Sequence, residues 1–240
     1  MKAYIKQIAY YLPEISISNE KLIEEFPEWT VGKIASKVGV NNRHVAGEQE
    51  TASDMAVAAA NNLFTVDSDI RREDIDFVLF CTQSPDYFLP TSACLIQDRL
   101  GLRTNIGAID FNLGCSGYVY GLAIAKGLIT GRIAKNVLLL TAETYSKYLH
   151  PRDKGNRTIF GDASSASVIS TDGFVEIGEF SLGTDGKGAD NLIVRTGASR
   201  KKEAENDLSF YENGNPVSSD YLYMDGTEIF TFTQKNVPIV

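Results

Sequence analysis

Cys115 is the residue of this sequence whose position most favours covalent chemistry. It follows a strand-like apolar run from Ile109 and a short turn that contains Gly114, and a helix is predicted to begin directly after it. The first backbone N–H groups of a helix and the positive end of its dipole would then face the sulfur. That environment favours the nucleophilic thiolate. The alternative is a small buried cysteine without a chemical role, and position alone does not decide between the two.

The predicted helix after Cys115 has an unusual composition. Lys126 is its only charged residue, and it contains Gly117, Gly121 and Gly127. Each interior glycine costs roughly 0.8–1 kcal/mol relative to alanine, so it is expected only where another backbone passes closely or where burial compensates. Gly117 and Gly121, four residues apart, would flatten one face of the helix for such an approach. A helix that is apolar on all sides is typical of a central, covered position.

Strands and helices alternate along most of the chain. Strands are predicted at 3–11, 75–81, 106–111 and 136–141, and helices at 20–26, 31–37, 52–64, 91–100 and 116–130. Continuous apolar strands that alternate with helices predict βαβ units and an α/β fold whose sheet is covered on both faces. Beyond Gly161 the pattern predicts strands at 163–170, 174–181 and 192–195, a polar loop at 207–219, and a helix that opens at Asp225.

Composition excludes several classes of protein. The chain has 240 residues, is 43% hydrophobic, and carries 31 acidic against 23 basic side chains, a net charge of −8. This balance opposes binding to nucleic acid or to an anionic membrane. Cys81, Cys94 and Cys115 form neither a disulfide framework nor a CxxC pair, so we expect no metal site and a reducing, cytoplasmic location. Cys81 and Cys94 are predicted to lie in the core, and no apolar run reaches the roughly 18 residues of a membrane span.

Six motifs in order resemble the 3-oxoacyl-(acyl-carrier-protein) synthase III family of the thiolase superfamily, along nearly the whole chain. The Cys-Ser-Gly turn and the Phe-Gly-Asp strand entry carry most of the likeness. The motifs are Tyr11-Leu12-Pro13; Gly39-Val40 with Arg43-His44; Leu89-Pro90-Thr91-Ser92-Ala93 leading to Gln97; Gly114-Cys115-Ser116-Gly117-Tyr118; Asn156-Arg157 with Phe160-Gly161-Asp162; and Met224-Asp225-Gly226-Thr227-Glu228-Ile229-Phe230.

The resemblance implies a thiolase-like α/β fold. Residues 1–172 would form its amino-terminal βαβαβαββ half, and residues 173–240 would lead into the second half. Cys115 would take an acyl group from acyl-CoA as a thioester, and its N–H would line the oxyanion hole. Malonyl-acyl carrier protein would then lose carbon dioxide and attack, which gives a 3-oxoacyl product in fatty-acid or related biosynthesis. The implied partners are acyl-CoA as a substrate, with no cofactor, malonyl-acyl carrier protein, and a second copy in a homodimer.

The resemblance also implies roles for five binding residues. Trp29 is the candidate for stacking on the CoA adenine. Lys37 and Lys154 stand where the family's best-known form has arginines that hold phosphates, with solvated surface lysines as the alternative. Either Phe88 or Leu89 would close the acyl tunnel across the dimer.

Several features depart from the family pattern. His44 lies in the Arg-His pair after Val40, and His150 lies beside Pro151 in a predicted loop. Neither matches the family's catalytic histidine, and ordinary polar roles are expected for both. The catalytic histidine and asparagine are expected beyond Val240, so this chain by itself should not complete the condensation. A non-catalytic thiolase-fold fragment or scaffold subunit is the alternative function. Hydroxymethylglutaryl-CoA synthases and plant-type polyketide synthases use similar cysteine chemistry. A nucleotide-binding protein is disfavoured because no GxGxxG or P-loop motif follows a strand.

Overall fold

The computed structural model of the protein describes residues 1–65 and 70–237. Their strands are β1 (Tyr4–Tyr11), β2 (Ile15–Ser18), β3 (Asn42–Val45), β4 (Phe77–Cys81), β5 (Gly107–Phe111), β6 (Asn136–Glu143), β7 (Ala163–Ser170), β8 (Val175–Glu176), β9 (Leu192–Ile193), β10 (Ser209–Phe210), β11 (Pro216–Val217) and β12 (Tyr223–Met224). Their α-helices are α1 (Asn19–Glu25), α2 (Val31–Val38), α3 (Ala52–Thr65), α4 (Ser92–Arg99), α5 (Gly117–Thr130), α6 (Lys154–Ile159) and α7 (Gly226–Asn236).

The described chain forms two compact units. The first unit comprises Met1–Ser16, His44–Thr144 and Asp162–Phe180, and the second comprises Ile17–Arg43, Tyr145–Gly161 and Ser181–Val240. The predicted division of the chain near residue 172 stays a prediction.

A six-stranded mixed sheet organises the first unit, in the order β5-β4-β6-β7-β1-β8. β4 runs parallel to both β5 and β6, while β7 pairs antiparallel with β6 and with β1. Parallel strands need a crossover connection. The chain crosses from β4 to β5 through α4 and from β5 to β6 through α5. The predicted βαβ units are therefore confirmed, and the carboxyl ends of β4, β5 and β6 meet at one edge of the sheet.

Both faces of this sheet are covered by apolar side chains. Leu138 and Leu140 of β6 pack into one cluster with residues of α3 and α4, whereas Leu139 points to the opposite face, where Ala125 and Ile129 of α5 lie. Because side chains alternate along a strand, a strand buried on both sides must be apolar at every position. This requirement explains the uninterrupted apolar runs in the sequence.

The glycines of α5 bring it close to the sheet. A Cβ atom at Gly117 would overlap Sγ of Cys81 on β4, and one at Gly121 would lie 2.6 Å from Cδ1 of Leu139. The predicted close approach is confirmed for these two positions. Gly127 makes no such contact, because no atom lies within 4 Å of its Cβ position apart from its chain neighbours and the helix's own backbone.

The second unit contains short helices whose ends follow the sequence signals. The hydroxyls of Ser18 and Thr30 cap α1 and α2, and α2 ends at Gly39 with a φ of 74°. The buried Arg43 links these helices to α6, because its guanidinium donates hydrogen bonds to Oδ1 of Asn19 at 2.9 Å and to the carbonyl oxygen of Thr158 at 2.8 Å. Side-chain caps and buried donors of this kind satisfy backbone groups that helix ends leave unpaired.

Some local predictions are wrong. The strand predicted at 174–181 is only the two residues of β8, and the loop predicted at 207–219 contains the hairpin of β10 and β11. β9 is also shorter than predicted, and α6 was not predicted. These segments lack a long apolar run, so pairing with neighbouring strands decides their conformation. The last three residues, 238–240, which end the predicted carboxyl-terminal helix region, lie outside the described residues.

Length and hydropathy together rule out a membrane-crossing helix among residues 1–65 and 70–237.

The α5 packing predicts opposite effects for two glycine substitutions. Gly121→Ala should lower the free energy of unfolding by about 1–3 kcal/mol, because the added methyl group displaces Leu139. Gly127→Ala should raise it by about 0.8–1 kcal/mol, because alanine favours the helix and no atom opposes it there. Urea unfolding followed by circular dichroism measures both, and equal effects of the two variants would contradict the packing described here.

Candidate active site

Cys115 lies in the turn that joins β5 to α5. The N–H of Gly117 donates to the carbonyl oxygen of Gly114 at 2.8 Å, which closes the turn, and the helix begins at Gly117. The side chain of Cys115 is exposed in the described chain. Cys115 is therefore an exposed residue directly before the N-cap of α5, at the end of the helix where the dipole is positive.

Cys81 of β4 is bonded to the chain just before this turn. Its thiol donates to the carbonyl oxygen of Leu113 at 3.1 Å. Burial raises the pKa of Cys81 to about 11, with a further increase from Glu143, so this cysteine stays a neutral donor. The prediction that Cys81 is a buried core residue is confirmed.

Cys94 is exposed, so the prediction of a core position is wrong. It lies on α4, whose buried positions are Ser92, Ala93 and Ile96. Cys94 is one residue beyond Ala93 and therefore points about 100° away from that face. Which face of α4 packs against the core decides the exposure of Cys94, and the sequence pattern did not define that face.

The loop between β4 and α4 carries Phe88 and Leu89. Both are strongly exposed, at 84% and 82%. Asp110 of β5 fixes the far end of this loop, because its carboxylate accepts the N–H groups of Ser92 and Ala93 at 2.6 and 2.7 Å. A carboxylate at the first turn of α4 also suits the positive end of the helix dipole. The exposure of the pair does not single out one side chain as the tunnel-closing residue, and this role stays a prediction for both.

Glu143 is a partly buried carboxyl group at the same edge of the sheet, and the sequence analysis did not single it out. It ends β6, and its carboxyl group accepts the N–H of Gln83 at 2.8 and 3.1 Å and the hydroxyl of Ser84 at 3.0 Å. Burial raises the pKa of Glu143 to about 7, and the neighbouring Asp162 adds to this increase, while the hydrogen bonds oppose it. Its position as the last residue of a buried strand was the one signal available in the sequence.

Asp162 explains the Phe-Gly-Asp motif structurally. It is buried, its carboxylate accepts the N–H of Ala46 at 2.7 Å, and its own N–H donates to the carbonyl oxygen of His44 at 2.7 Å. These bonds hold the start of β7 against the segment that follows β3.

An aromatic and basic cluster occurs in the second unit. Nζ of Lys33 lies 4.9 Å from the centre of the Trp29 ring, a cation–π contact. Lys154 is paired with Glu28, the neighbour of Trp29, at 2.7 Å and donates to the carbonyl oxygen of Asn213 at 3.0 Å. Its side chain is only 18% exposed, so it is not a freely solvated lysine.

Lys37 is exposed on α2, one helical turn beyond Lys33. Lys33 contacts Trp29, and Lys154 is paired with Glu28, the residue before Trp29. Lys37 lies on the same helix as Lys33. Lys33 was missed by the sequence analysis.

The two histidines make structural contacts. Nδ1 of His44 lies 2.5 Å from the carbonyl oxygen of Pro13. Nδ1 of His150 accepts the N–H of Arg152 at 3.1 Å, and its ring packs edge-on against Tyr221 with centroids 4.8 Å apart. These contacts agree with the ordinary polar roles expected for both.

Comparison with known proteins identifies similar sequences. Residues 109–186, which include Cys115, match the family model for 3-oxoacyl-(acyl-carrier-protein (ACP)) synthase III. The chain is 35% identical over 239 residues to the beta-ketoacyl-(acyl-carrier-protein) synthase III of Clostridioides difficile, with 98% of this chain and 69% of that protein covered. It is also 35% identical to the enzyme of that name from Clostridium perfringens, with 94% and 66% covered. The chain thus spans about two thirds of the length of these relatives.

Solved structures give the same result for the fold. A 3-oxoacyl-(acyl-carrier-protein) synthase III superposes with a TM-score of 0.96 at 48% identity, over 99% of this chain and 72% of that one. The 3-oxoacyl-(acyl-carrier protein) synthase of Burkholderia xenovorans superposes with a TM-score of 0.85 at 34% identity, over 99% and 67%. The predicted α/β, thiolase-like fold class and the resemblance stated from the six motifs are both confirmed.

The raised pKa of Glu143 predicts a pH-dependent stability. An unfolded glutamate has a pKa near 4.5, whereas that of Glu143 in the folded chain is about 7. The folded state therefore favours the protonated form, and this contribution is complete below 4.5 and is lost as the pH rises through 7. Glu143→Gln stays neutral, so its stability relative to the unchanged protein should rise between pH 5 and pH 8, as measured by urea unfolding.

A suitable control is Glu176→Gln. Lys2 lowers the pKa of the exposed Glu176, so this variant should not gain relative stability over the same pH range. A parallel pH dependence for Glu143→Gln and the unchanged protein would contradict the assignment.

Proposed function

The chain belongs to the 3-oxoacyl-(acyl-carrier-protein) synthase III family, and from this membership we propose that it carries the acyl-accepting cysteine of a condensing acyltransferase. Cys115 is the nucleophile. The observation that carries the proposal is that Cys115 is exposed directly before α5, within the segment that matches the family model.

The first half-reaction is an acyl transfer to sulfur. The thiolate of Cys115 attacks the thioester carbonyl of acyl-CoA, a new carbon–sulfur bond forms, and CoA leaves as its thiol after taking up a proton. Charge develops on the carbonyl oxygen during the attack, and backbone N–H groups directed at that oxygen stabilise it. The N–H of Cys115 is the donor that this chain contributes.

The second half-reaction is a decarboxylative Claisen condensation. Malonyl-acyl carrier protein loses carbon dioxide, the resulting enolate carbon attacks the acyl group on Cys115, and the sulfur leaves as thiolate. The product is 3-oxoacyl-acyl carrier protein, in fatty-acid or related biosynthesis. By the family resemblance, a histidine and an asparagine of the second half of the fold stabilise the enolate.

The aromatic and basic cluster supports a CoA-binding role. Trp29 offers a ring face of the kind on which an adenine stacks, and Lys33, Lys37 and Lys154 supply positive charge for phosphates. Lysine acts as a point charge rather than as the bidentate fork of arginine, so each contact orients a phosphate less strictly. Acyl-CoA is bound as a substrate, and the proposal includes no cofactor.

The proposed setting of the enzyme follows from the same resemblance. The second substrate is malonyl-acyl carrier protein. The working enzyme is a homodimer in which Phe88 or Leu89 closes the acyl tunnel of the other copy. The three unpaired cysteines support a reducing, cytoplasmic compartment.

The proposed nucleophile predicts a covalent intermediate. The enzyme incubated with an acyl-CoA should gain one acyl mass on Cys115, as measured by intact-protein and peptide mass spectrometry. Cys115→Ala should abolish this gain because it removes the attacking sulfur. Cys94→Ala is the matched control, since Cys94 is also exposed and should be dispensable.

A protein that forms product at the full rate without any acyl mass on Cys115 would refute the proposed mechanism. A protein that neither binds an acyl group nor forms product would favour the scaffold alternative.

The CoA-binding cluster predicts an effect on substrate affinity. Trp29→Ala and Lys154→Ala should each raise the KM for acyl-CoA about fivefold or more, because each removes a contact worth roughly 1 kcal/mol or more. The kcat should change much less, because neither residue touches the reacting atoms in this proposal. Lys201→Ala serves as the control, since that lysine pairs with Glu205 along the chain. Unchanged KM values in both cluster variants would exclude the cluster from CoA binding.

A further inference from the structure

Glu143 is placed to do more than end a strand. The reaction proposed above assigns it no role, yet its carboxyl group is half-buried at the carboxyl edge of the sheet, where β4, β5 and β6 end together. Partly burying a carboxyl group is unfavourable unless hydrogen bonds compensate. The partners that compensate for it show what the residue holds in place.

Those partners belong to the loop that follows β4. One N–H, that of Gln83, points between the two carboxyl oxygens, and the Ser84 hydroxyl donates to the same group. The Ser84 oxygen in turn accepts the N–H of Thr144, the residue after Glu143, at 2.9 Å. The backbone of residues 83 and 84 is therefore fixed to the end of β6 from both sides.

The same loop holds the segment that leads to Cys115. Nε2 of the Gln83 side chain donates to Oδ1 of Asn112 at 3.2 Å, and the N–H of Thr82 donates to the carbonyl oxygen of Phe111 at 3.2 Å. Asn112 lies three residues before Cys115, between the end of β5 and the turn that carries Cys115. Gln83 thus makes both connections. Its backbone N–H is bonded to Glu143, and its side chain is bonded to Asn112.

We propose that Glu143 is a positioning residue for Cys115 that acts through Gln83 and Asn112. The carboxyl group sets the backbone of Gln83, the Gln83 amide sets Asn112, and Asn112 sets the path of the turn that presents the sulfur and the N–H of Cys115. This inference rests on the proposed role of Cys115 as the nucleophile.

Small displacements of this turn are expected to matter because two atoms of Cys115 act on the same carbonyl group. The sulfur must reach the carbon while the N–H meets the developing oxyanion, and a shift of about 1 Å can cost up to a hundredfold in rate. Loss of Glu143 changes the placement of the sulfur and not the binding of CoA, so it should lower kcat and leave KM nearly unchanged.

The test measures the rate of Cys115 acylation in the enzyme expressed from its complete coding sequence. Gln83→Ala keeps the backbone N–H on Glu143 but removes the bond to Asn112, and it should slow acylation about fivefold, as expected for one hydrogen bond. Glu143→Ala should slow it about tenfold or more. Glu143→Gln keeps an acceptor oxygen for Gln83 and should restore most of the rate.

A double variant and a stability control separate positioning from general weakening. If the two residues act in series, Gln83→Ala combined with Glu143→Ala should be no slower than Glu143→Ala alone. Ser170→Ala is the control, because it removes a partly buried hydrogen bond to Asn136 of 2.6 Å at the opposite end of the sheet and should not change the rate. All rates are compared at a temperature at which circular dichroism shows the variants folded.

The outcomes distinguish the two proposals. No acyl mass on Cys115 in the unchanged enzyme means that the proposed function fails. Normal acylation of the unchanged enzyme together with rates within twofold in Gln83→Ala and Glu143→Ala, or effects of the two that multiply in the double variant, would overturn the positioning role. Should Glu143→Ala fail to fold, the rate of Gln83→Ala decides alone.

Discussion

The close approach of α5 to the sheet is the constraint on which the position of the reactive cysteine depends. Gly117 leaves room for Sγ of Cys81, and that thiol holds the carbonyl oxygen of Leu113. The helix can therefore begin immediately beyond the end of β5, and Cys115 has to occupy the short turn between them. A side chain at Gly117 would push the helix start outward and move the sulfur away from this edge. The composition of α5, apolar with Gly117 and Gly121 on the packed side, follows from the same constraint.

Carboxyl groups at the strand ends fix the loops around this turn. Asp110 accepts two N–H groups at the start of α4, Glu143 holds the loop after β4, and Asp162 holds the segment after β3. Backbone N–H groups at strand ends and helix starts have no partner within their own element, so an acceptor from a neighbouring strand satisfies them. The edge that carries Cys115 is thereby rigid on several sides, which suits a nucleophile that must meet one carbonyl group in a fixed orientation.

The second unit combines a buried charge with an aromatic and basic surface. Arg43 makes its hydrogen bonds with neutral acceptors such as Asn19 and Thr158, which links the short helices to one another. The helix α2, which is capped at Thr30 and ends at Gly39, then presents Lys33 and Lys37 on successive turns. Nζ of Lys33 lies over the Trp29 ring, so that ring already contacts a cation. Positive charge is thus held next to an aromatic face in an otherwise acidic protein.

The sequence by itself determined the fold class, the βαβ units, the caps of α1 and α2, and the start of α5 near Cys115. These depend on local patterns, namely apolar runs, capping hydroxyls and glycines, that act within a few residues. Only the tertiary structure decided that Cys94 is exposed, that the run 174–181 pairs over two residues, and that Gln83 links Glu143 to Asn112. Each of those depends on which distant segments become neighbours. Residues some 30 and 60 positions apart in the chain meet only because β4, β5 and β6 end side by side, and no local pattern encodes that distance.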